Sequence, residues 1–548
     1  MKLNKAIILA LAAASAVPAS ASGVWNLQGV EYKCDTLQHY KVGPGTTITV
    51  VDLAGPVKQR VFYSVTDLTD PNVKVSTICG KNNLKSNVTL PNMVSSYGDK
   101  DKIYFAGVNS DLFSSTGPIG TTVVGGEIYK TAKTSTAWKA AGCEADGGVF
   151  FGAASISFGA SLNGVMEYAP GLVNVPRAAG EAVVYTSRWG TSTPAKDAAA
   201  DAQLVEIVLK PEGGRLNSNG DTECTVVSNA VKNGSGKTAI PSGHLVLTSN
   251  VKNHVRDLGL LKAGDKYTIT VAMSSVKGIG FGFSHSFANL CEMSGGNPLL
   301  LEGGAILDTE NALDHLVYRR PRTALGTDAS GKRMVMLVVD GDSYNKGISA
   351  GVNSKDLAAM MLAVGCTEAV NFDGGGSSSL YTSPFGVLNR PSDGHDRAVR
   401  NGWFVTTENK GDNAVATIAF ADWSKYLNPG DTYTPVIYGY NEAGLLVNKD
   451  VKTAVLSCQP ELGTISADGR TLTVDGDGTH ALVATLPNGA SCSIAVAHGD
   501  PTGITGPSVS EETQAPVEYF NLQGVKVENP AGGIFIRRCG SSVSKVVM

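Results

Sequence analysis

Charge and closely spaced cysteines are both scarce in this chain, and each scarcity removes a class of function. Asp, Glu, Lys and Arg make up only 17% of the 548 residues, with a formal net charge of −4 and no long basic run. The electrostatic footprint of nucleic-acid binding is therefore missing. The nine cysteines lie far apart without a CxxC pair, which argues against a zinc site and against a dense disulfide framework. Cys458 and Cys492 fall in one small predicted β domain, either as a pair or as two buried thiols. No stretch after the N-terminal segment is long and apolar enough for a membrane-spanning helix. Hydrophobic residues reach 42%, which excludes widespread disorder, and the length calls for two or three domains.

The chain starts with a short basic stretch, Met1 to Lys5, followed by an apolar run from Ala6 to Val17. With the small residues Ala19 and Ala21 behind it, this reads as a signal peptide over residues 1–21. Export to the periplasm, the cell surface or the medium is the expectation. Residues 22–408 read as short strands broken by Gly, Asn, Asp and Pro, with few helices. The expected fold class is α+β, β-rich, with a mixed sheet. A polar hinge, Asn409 to Asn413, precedes alternating apolar and polar residues that suit an Ig-like β-sandwich over 409–498. Within it, Asp475-Gly476-Asp477-Gly478 reads as a plain turn, because no downstream Glu completes a calcium loop. Residues 499–518 look like a linker, and residues 519–548 resemble the end of type IX sorting domains.

One segment carries the chemistry. Met334–Val339 is a continuous apolar strand ending in Asp340-Gly341. Asn353 or Ser354 then caps a helix whose apolar face is Leu357, Met360, Met361 and Val364, with Gly365 placed to end it. Ala369–Phe372 forms a second strand that ends in Asp373-Gly374-Gly375-Gly376-Ser377-Ser378. A right-handed crossover brings both strand ends to one edge of the sheet. Adjacent strands lie about 4.8 Å apart, so the two terminal carboxylates are expected to approach to roughly 5–9 Å. The glycines free the backbone to approach a ligand, and their N–H groups, with the serine hydroxyls, suit an anion nest.

These blocks resemble a family. Tyr318 to Gly326 (YRRPRTALG), Val338-Val339-Asp340-Gly341 and Asn371 to Ser378 are similar to the phosphodiester glycosidases. So are Ala106 to Phe113, Gly295 to Leu299, and Asn389 to Gly394 through Val399. The resemblance implies hydrolysis of a sugar-1-phosphodiester, of the N-acetylglucosamine-1-phosphodiester kind, at the anomeric carbon. The substrate partner is then a sugar-1-phosphodiester or a phosphate-linked glycan. A phosphodiesterase attacking phosphorus and a non-catalytic glycan-binding surface protein are the alternatives.

Such a reaction needs a carboxylate base or nucleophile, for which Asp373 is chosen, with Asp340 or Asp111 supporting it. It also needs an anion clamp, and arginine's planar fork suits phosphate. Arg322 comes first, then Arg390 and Arg397, with Arg177 and Arg188 weaker. Asp393 and Asn109 are candidates for sugar hydroxyls. No cofactor is required; the Asp- and Asn-rich loops leave room for a divalent cation without demanding one. His244, His285 and His395 stand isolated and read as structural.

Overall fold

The computed structural model describes residues 22–133, 138–163, 165–166, 168–280, 287–308, 316–476 and 478–497. In the tail it describes 517–520, 526–527, 534–539 and 542–547. The predicted signal segment 1–21, most of the predicted linker, His285 and Asp477 lie outside these.

The continuous apolar run of the strand Arg333–Val339 has a physical reason: both of its faces are buried. Successive strand residues point to opposite faces. Met334, Met336 and Val338 pack into a core with Phe105, Trp403 and Val405. Val335, Leu337 and Val339 pack into another with Leu357, Met360 and Met361 of the helix Ser354–Ala363. All six strand residues are fully buried, and each such side chain stabilises the fold by about 1.5–3 kcal/mol. The helix forms as its sequence predicts. Asn353 accepts a hydrogen bond from the Asp356 N–H at 2.8 Å, and Gly365 follows the helix at φ +87°.

This strand lies inside a nine-stranded sheet, beside Gln59–Asp67 on one side and Arg322–Thr327 on the other. Here the sequence expectation needs correction. Arg333–Val339 and Glu368–Asn371 do run parallel, but they are not neighbours. The antiparallel strand Arg322–Thr327 lies between them, pairing Arg322 with Val339 and Ala324 with Asn371. Asp340 and Asp373 thus end strands about 10 Å apart, and Arg322 begins the strand that separates them.

A five-stranded sheet packs over one face of the first, with Ile103–Asn109 between Leu380–Thr382 and Asn401–Thr407. A thirteen-stranded sheet with its own core carries residues 122 to 296, including the long pair Val149–Leu162 and Lys266–Gly280. The molecule is β-rich with few helices, as expected.

Residues 414–497 form three small sheets around Ile437, Leu472, Leu482 and Ile494. They do not hang free. Tyr438, Tyr440, Leu445 and Leu446 join the core that holds Val42 and Ile48, and the Tyr40 and Tyr438 rings meet at 5.2 Å. Cys458 and Cys492 are both free thiols. Residues 499–548 are a separate unit, in which four strands form one antiparallel sheet.

Candidate active site

Two loops meet where the nine-stranded and five-stranded sheets present their strand ends. Asn109, the last residue of its strand, holds them together. Its amide N–H donates to the Asp373 carbonyl at 2.7 Å. Its amide oxygen accepts from the Thr323 hydroxyl at 2.9 Å and the Ser379 N–H at 3.0 Å. The Asp373 N–H donates to the Ser110 carbonyl at 2.8 Å, so the loop that carries Asp111 is clasped to the loop that carries Asp373. Asn109 is thereby a positioning residue rather than the sugar ligand its sequence position suggested.

Asp373 is half-buried, and burial pushes its carboxyl up to about 6. The Ser377 hydroxyl, the Arg397 guanidinium and the Gly374 N–H oppose that rise. The glycine-serine loop serves Asp373 more than it serves an anion. Gly375 takes φ +62° and opens a short 3-10 turn over Gly375–Ser377. Most of the N–H groups expected to form a nest are already engaged. Gly375 donates to Pro321, Ser377 to Gly374 and Ser378 to Gly375. The Ser378 hydroxyl is buried without a partner among the described residues.

Asp111 is the second carboxylate. It is fully buried, and its two oxygens accept from the Gly120 N–H at 2.6 Å and the Trp138 indole N–H at 2.9 Å. Burial raises it to about 7; Asp373's negative charge adds to the rise and Lys130 works against it. Gly295 is glycine for a steric reason: a Cβ there would stand 2.3 Å from an Asp111 oxygen. Sequence reasoning found Asp111 but missed Trp138, whose role no local pattern signals.

Arg397 lies beside this pair. Its Nε and Nη2 donate to the Asp393 carboxylate at 2.6 and 2.9 Å, and its Nη1 reaches the Ser377 hydroxyl at 3.5 Å. Gly376 makes the approach possible, since a Cβ would fall 2.2 Å from Arg397 Nη2. The other predicted arginines do different work. Arg322 is 1% exposed, and its Nε and Nη2 donate to the carbonyls of Val352 and Tyr318. Its fork anchors the chain instead of facing solvent as a clamp. Arg177 lies away from the site, in a buried bidentate pair with Asp201. Arg188 forks onto Glu127 in the same manner. Arg390 is exposed, with its guanidinium over the Tyr344 ring at 4.4 Å.

Asp340 is held by a loop about fifty residues further on. Its oxygens accept from the Asn389 amide and the Arg390 N–H, each at 3.1 Å. Burial raises it to about 6, against the charges of Arg60 and Arg390. Among the described residues no cluster of three or more His, Cys, Asp and Glu is arranged to hold a metal ion.

The fold and site together define a β-rich scaffold that holds one buried and one half-buried carboxylate and an arginine at one sheet edge. Residues 218–406 match the phosphodiester glycosidase family. A curated relative, the SPbeta prophage-derived uncharacterized protein YomE of Bacillus subtilis, is 39% identical over 84 residues. That match covers 15% of this chain and 12% of the relative. A hypothetical protein from Synechocystis shares the fold at TM-score 0.50 and 18% identity, over 66% of this chain and 62% of that one. The catalytic domain of zebrafish N-acetylglucosamine-1-phosphodiester alpha-N-acetylglucosaminidase, auto-inhibited by its pro-peptide, aligns at TM-score 0.33 and 13% identity. That alignment covers 68% of this chain and 88% of the domain.

Proposed function

We propose that this chain is an exported glycosidase that hydrolyses sugar-1-phosphodiesters at the anomeric carbon, releasing free sugar and a phosphomonoester. The observation that carries the reading is the Asp373–Asp111 pair, two carboxyls on loops clasped by the Asp373 N–H to Ser110 carbonyl bond and both raised by burial, to about 6 and about 7. Near neutral pH, Asp373 is mostly ionised while Asp111 keeps much of its proton, because burial disfavours the charged form most at the fully buried Asp111, with Asp373's charge adding to it. Asp373 then acts as base or nucleophile toward the anomeric carbon. The bond from that carbon to the bridging oxygen breaks, and the oxygen departs with phosphate.

The leaving phosphomonoester has a second pKa near 6, so it departs without full protonation. A strong general acid is therefore less needed than for an ordinary sugar alkoxide. Arg397, anchored by Asp393 beside Ser377, supplies the positive charge for the phosphate. Export rests on the basic-then-apolar start of the chain; no described helix is long and apolar enough to cross a membrane.

Hydrolysis in ¹⁸O-labelled water tests the reading directly. The label is expected in the released sugar and none in the phosphate. Label in the phosphate would mean attack at phosphorus and would replace the glycosidase reading with a phosphodiesterase one.

A further inference from the structure

A cavity of about 630 Å³, lined by Asp340 but not by Asp373, is within the size range of sites that hold small ligands. Three separate parts of the chain build it. Two strands of the nine-stranded sheet, Val30–Gly43 and Gln59–Asp67, supply Gln38 and Arg60. The catalytic sheet edge supplies Asp340 and Arg390, and the 414–497 region supplies Asp422, Ser424, Lys425 and Tyr426.

The charges lining this space, Asp35, Arg60, Asp340, Arg390, Asp422 and Lys425, balance by sign, and two of the three cations are already in ion pairs. Arg60 forks onto Asp52 at 2.7 and 2.6 Å. Lys425 lies 3.3 Å from Asp422, which also accepts from the Tyr433 hydroxyl at 2.7 Å. Asp340 accepts from the Arg390 backbone N–H, and the Arg60 and Arg390 guanidinium charges act on it through space. An anion or a cation entering here would have to break such a pair or face a like charge, at a desolvation cost without return. A neutral polyhydroxyl ligand avoids that cost, because each hydroxyl both donates and accepts and so uses the spare sites of groups already paired. Leu37, Phe62, Leu388 and Tyr426 add the apolar surface that the C–H faces of a sugar ring require.

The cavity is tied to the catalytic loop by one side chain. The Asn389 amide donates to Asp340 at 3.1 Å and to the Ser378 carbonyl at 3.0 Å. We propose that this cavity is an accessory subsite for neutral sugar residues of the glycan that carries the phosphodiester, completed by the 414–497 region. The assignment of that glycan as substrate rests on the glycosidase reading; the subsite's preference for neutral sugar does not.

The test uses the full chain in its Asp373→Asn form, so that binding is read without turnover. Neutral trisaccharides of glucose, mannose and N-acetylglucosamine, and separately inorganic phosphate, are titrated calorimetrically. At least one trisaccharide is expected to bind, and Ser424→Trp, which fills the cavity, and Tyr426→Ala, which removes its aromatic wall, should each weaken it about tenfold or more, equivalent to about 1.4 kcal/mol. Tyr426→Ala keeps the test valid if the tryptophan variant does not fold. Binding of no trisaccharide, binding unchanged in a folded variant, or binding of phosphate alone would overturn the proposal. In the active chain, the same two substitutions should raise KM for a phosphodiester on an oligosaccharide while leaving kcat, and KM for a single-sugar phosphodiester, unchanged. Trisaccharide binding at the cavity in a chain that cleaves no phosphodiester would sink the glycosidase reading and leave the subsite standing.

Discussion

Asp340 and Asp373 invite comparison. Each follows an apolar strand, each precedes glycine, and burial raises each to about 6. Their surroundings differ. Asp340 is 1% exposed and accepts hydrogen bonds from the Asn389 and Arg390 loop. Asp373 is half-buried, and a hydroxyl and a guanidinium hold it down. One carboxylate ties down a loop, and the other faces groups suited to substrate. On the proposed reading, the same local sequence thus yields an anchor and a reacting group, according to what the next loop brings back.

Paired substitutions separate the two most strongly. Asp373→Asn is expected to lower turnover by about 10³-fold or more with the fold intact, since the amide keeps volume but cannot act as base or nucleophile. Asp340→Asn should instead lower stability by about 1–3 kcal/mol through weakened bonds to Asn389 and Arg390, with turnover within about tenfold of the parent. Turnover measured beside thermal unfolding decides it; equal catalytic loss in both would make Asp340 a second reacting group.

A smaller effect is expected from Gly376→Ala. The added methyl must displace the Arg397 and Asp393 side chains, whose atoms lie 2.2–2.4 Å from its position. Misplacing the arginine should reduce kcat/KM by about a hundredfold while thermal unfolding changes little. The acid limb of the activity profile should also move up, because the charge that lowers Asp373 is withdrawn. An unmoved limb would separate Arg397 from Asp373.

The smallest effect concerns stability and pH. Asp373 ionises near 3.8 when unfolded and near 6 when folded. Between those values the folded chain holds more protons, so this group's contribution is complete below the lower value and is lost as pH rises through about 6. Asp373→Asn removes that loss. Its melting temperature should gain on the parent's from pH 4 to 7 and run parallel above; a constant gap would mean that Asp373 is not raised.

The sequence revealed much of this because some signals are local. The Asn353 cap, the helix face and the two strand-end aspartates follow from spacing within a few residues. Strand order does not: nothing in the run from Arg322 to Thr327 shows that it inserts between strands that follow it in the chain. Arg322 therefore looked like a clamp, and its burial under Val352 and Tyr318 emerged only with the fold. The glycine loop misled in a related way, because its N–H groups find partners at Pro321 and within the turn. Trp138 on Asp111 is equally non-local, joining residues 27 apart.

The single amide of Asn109 sets a timetable for the newly made chain. Its partners Thr323, Asp373 and Ser379 lie 214, 264 and 270 residues further on. Closing loops of such length has an entropic cost that only the docking of both sheets offsets. Until residue 379 has been made, Asn109 lacks its full set of partners and the two carboxylates have no fixed relation. A chain synthesised from its N-terminus therefore brings the two carboxylates together only after most of its polypeptide exists, which on the proposed reading keeps the chemistry silent in partly made protein.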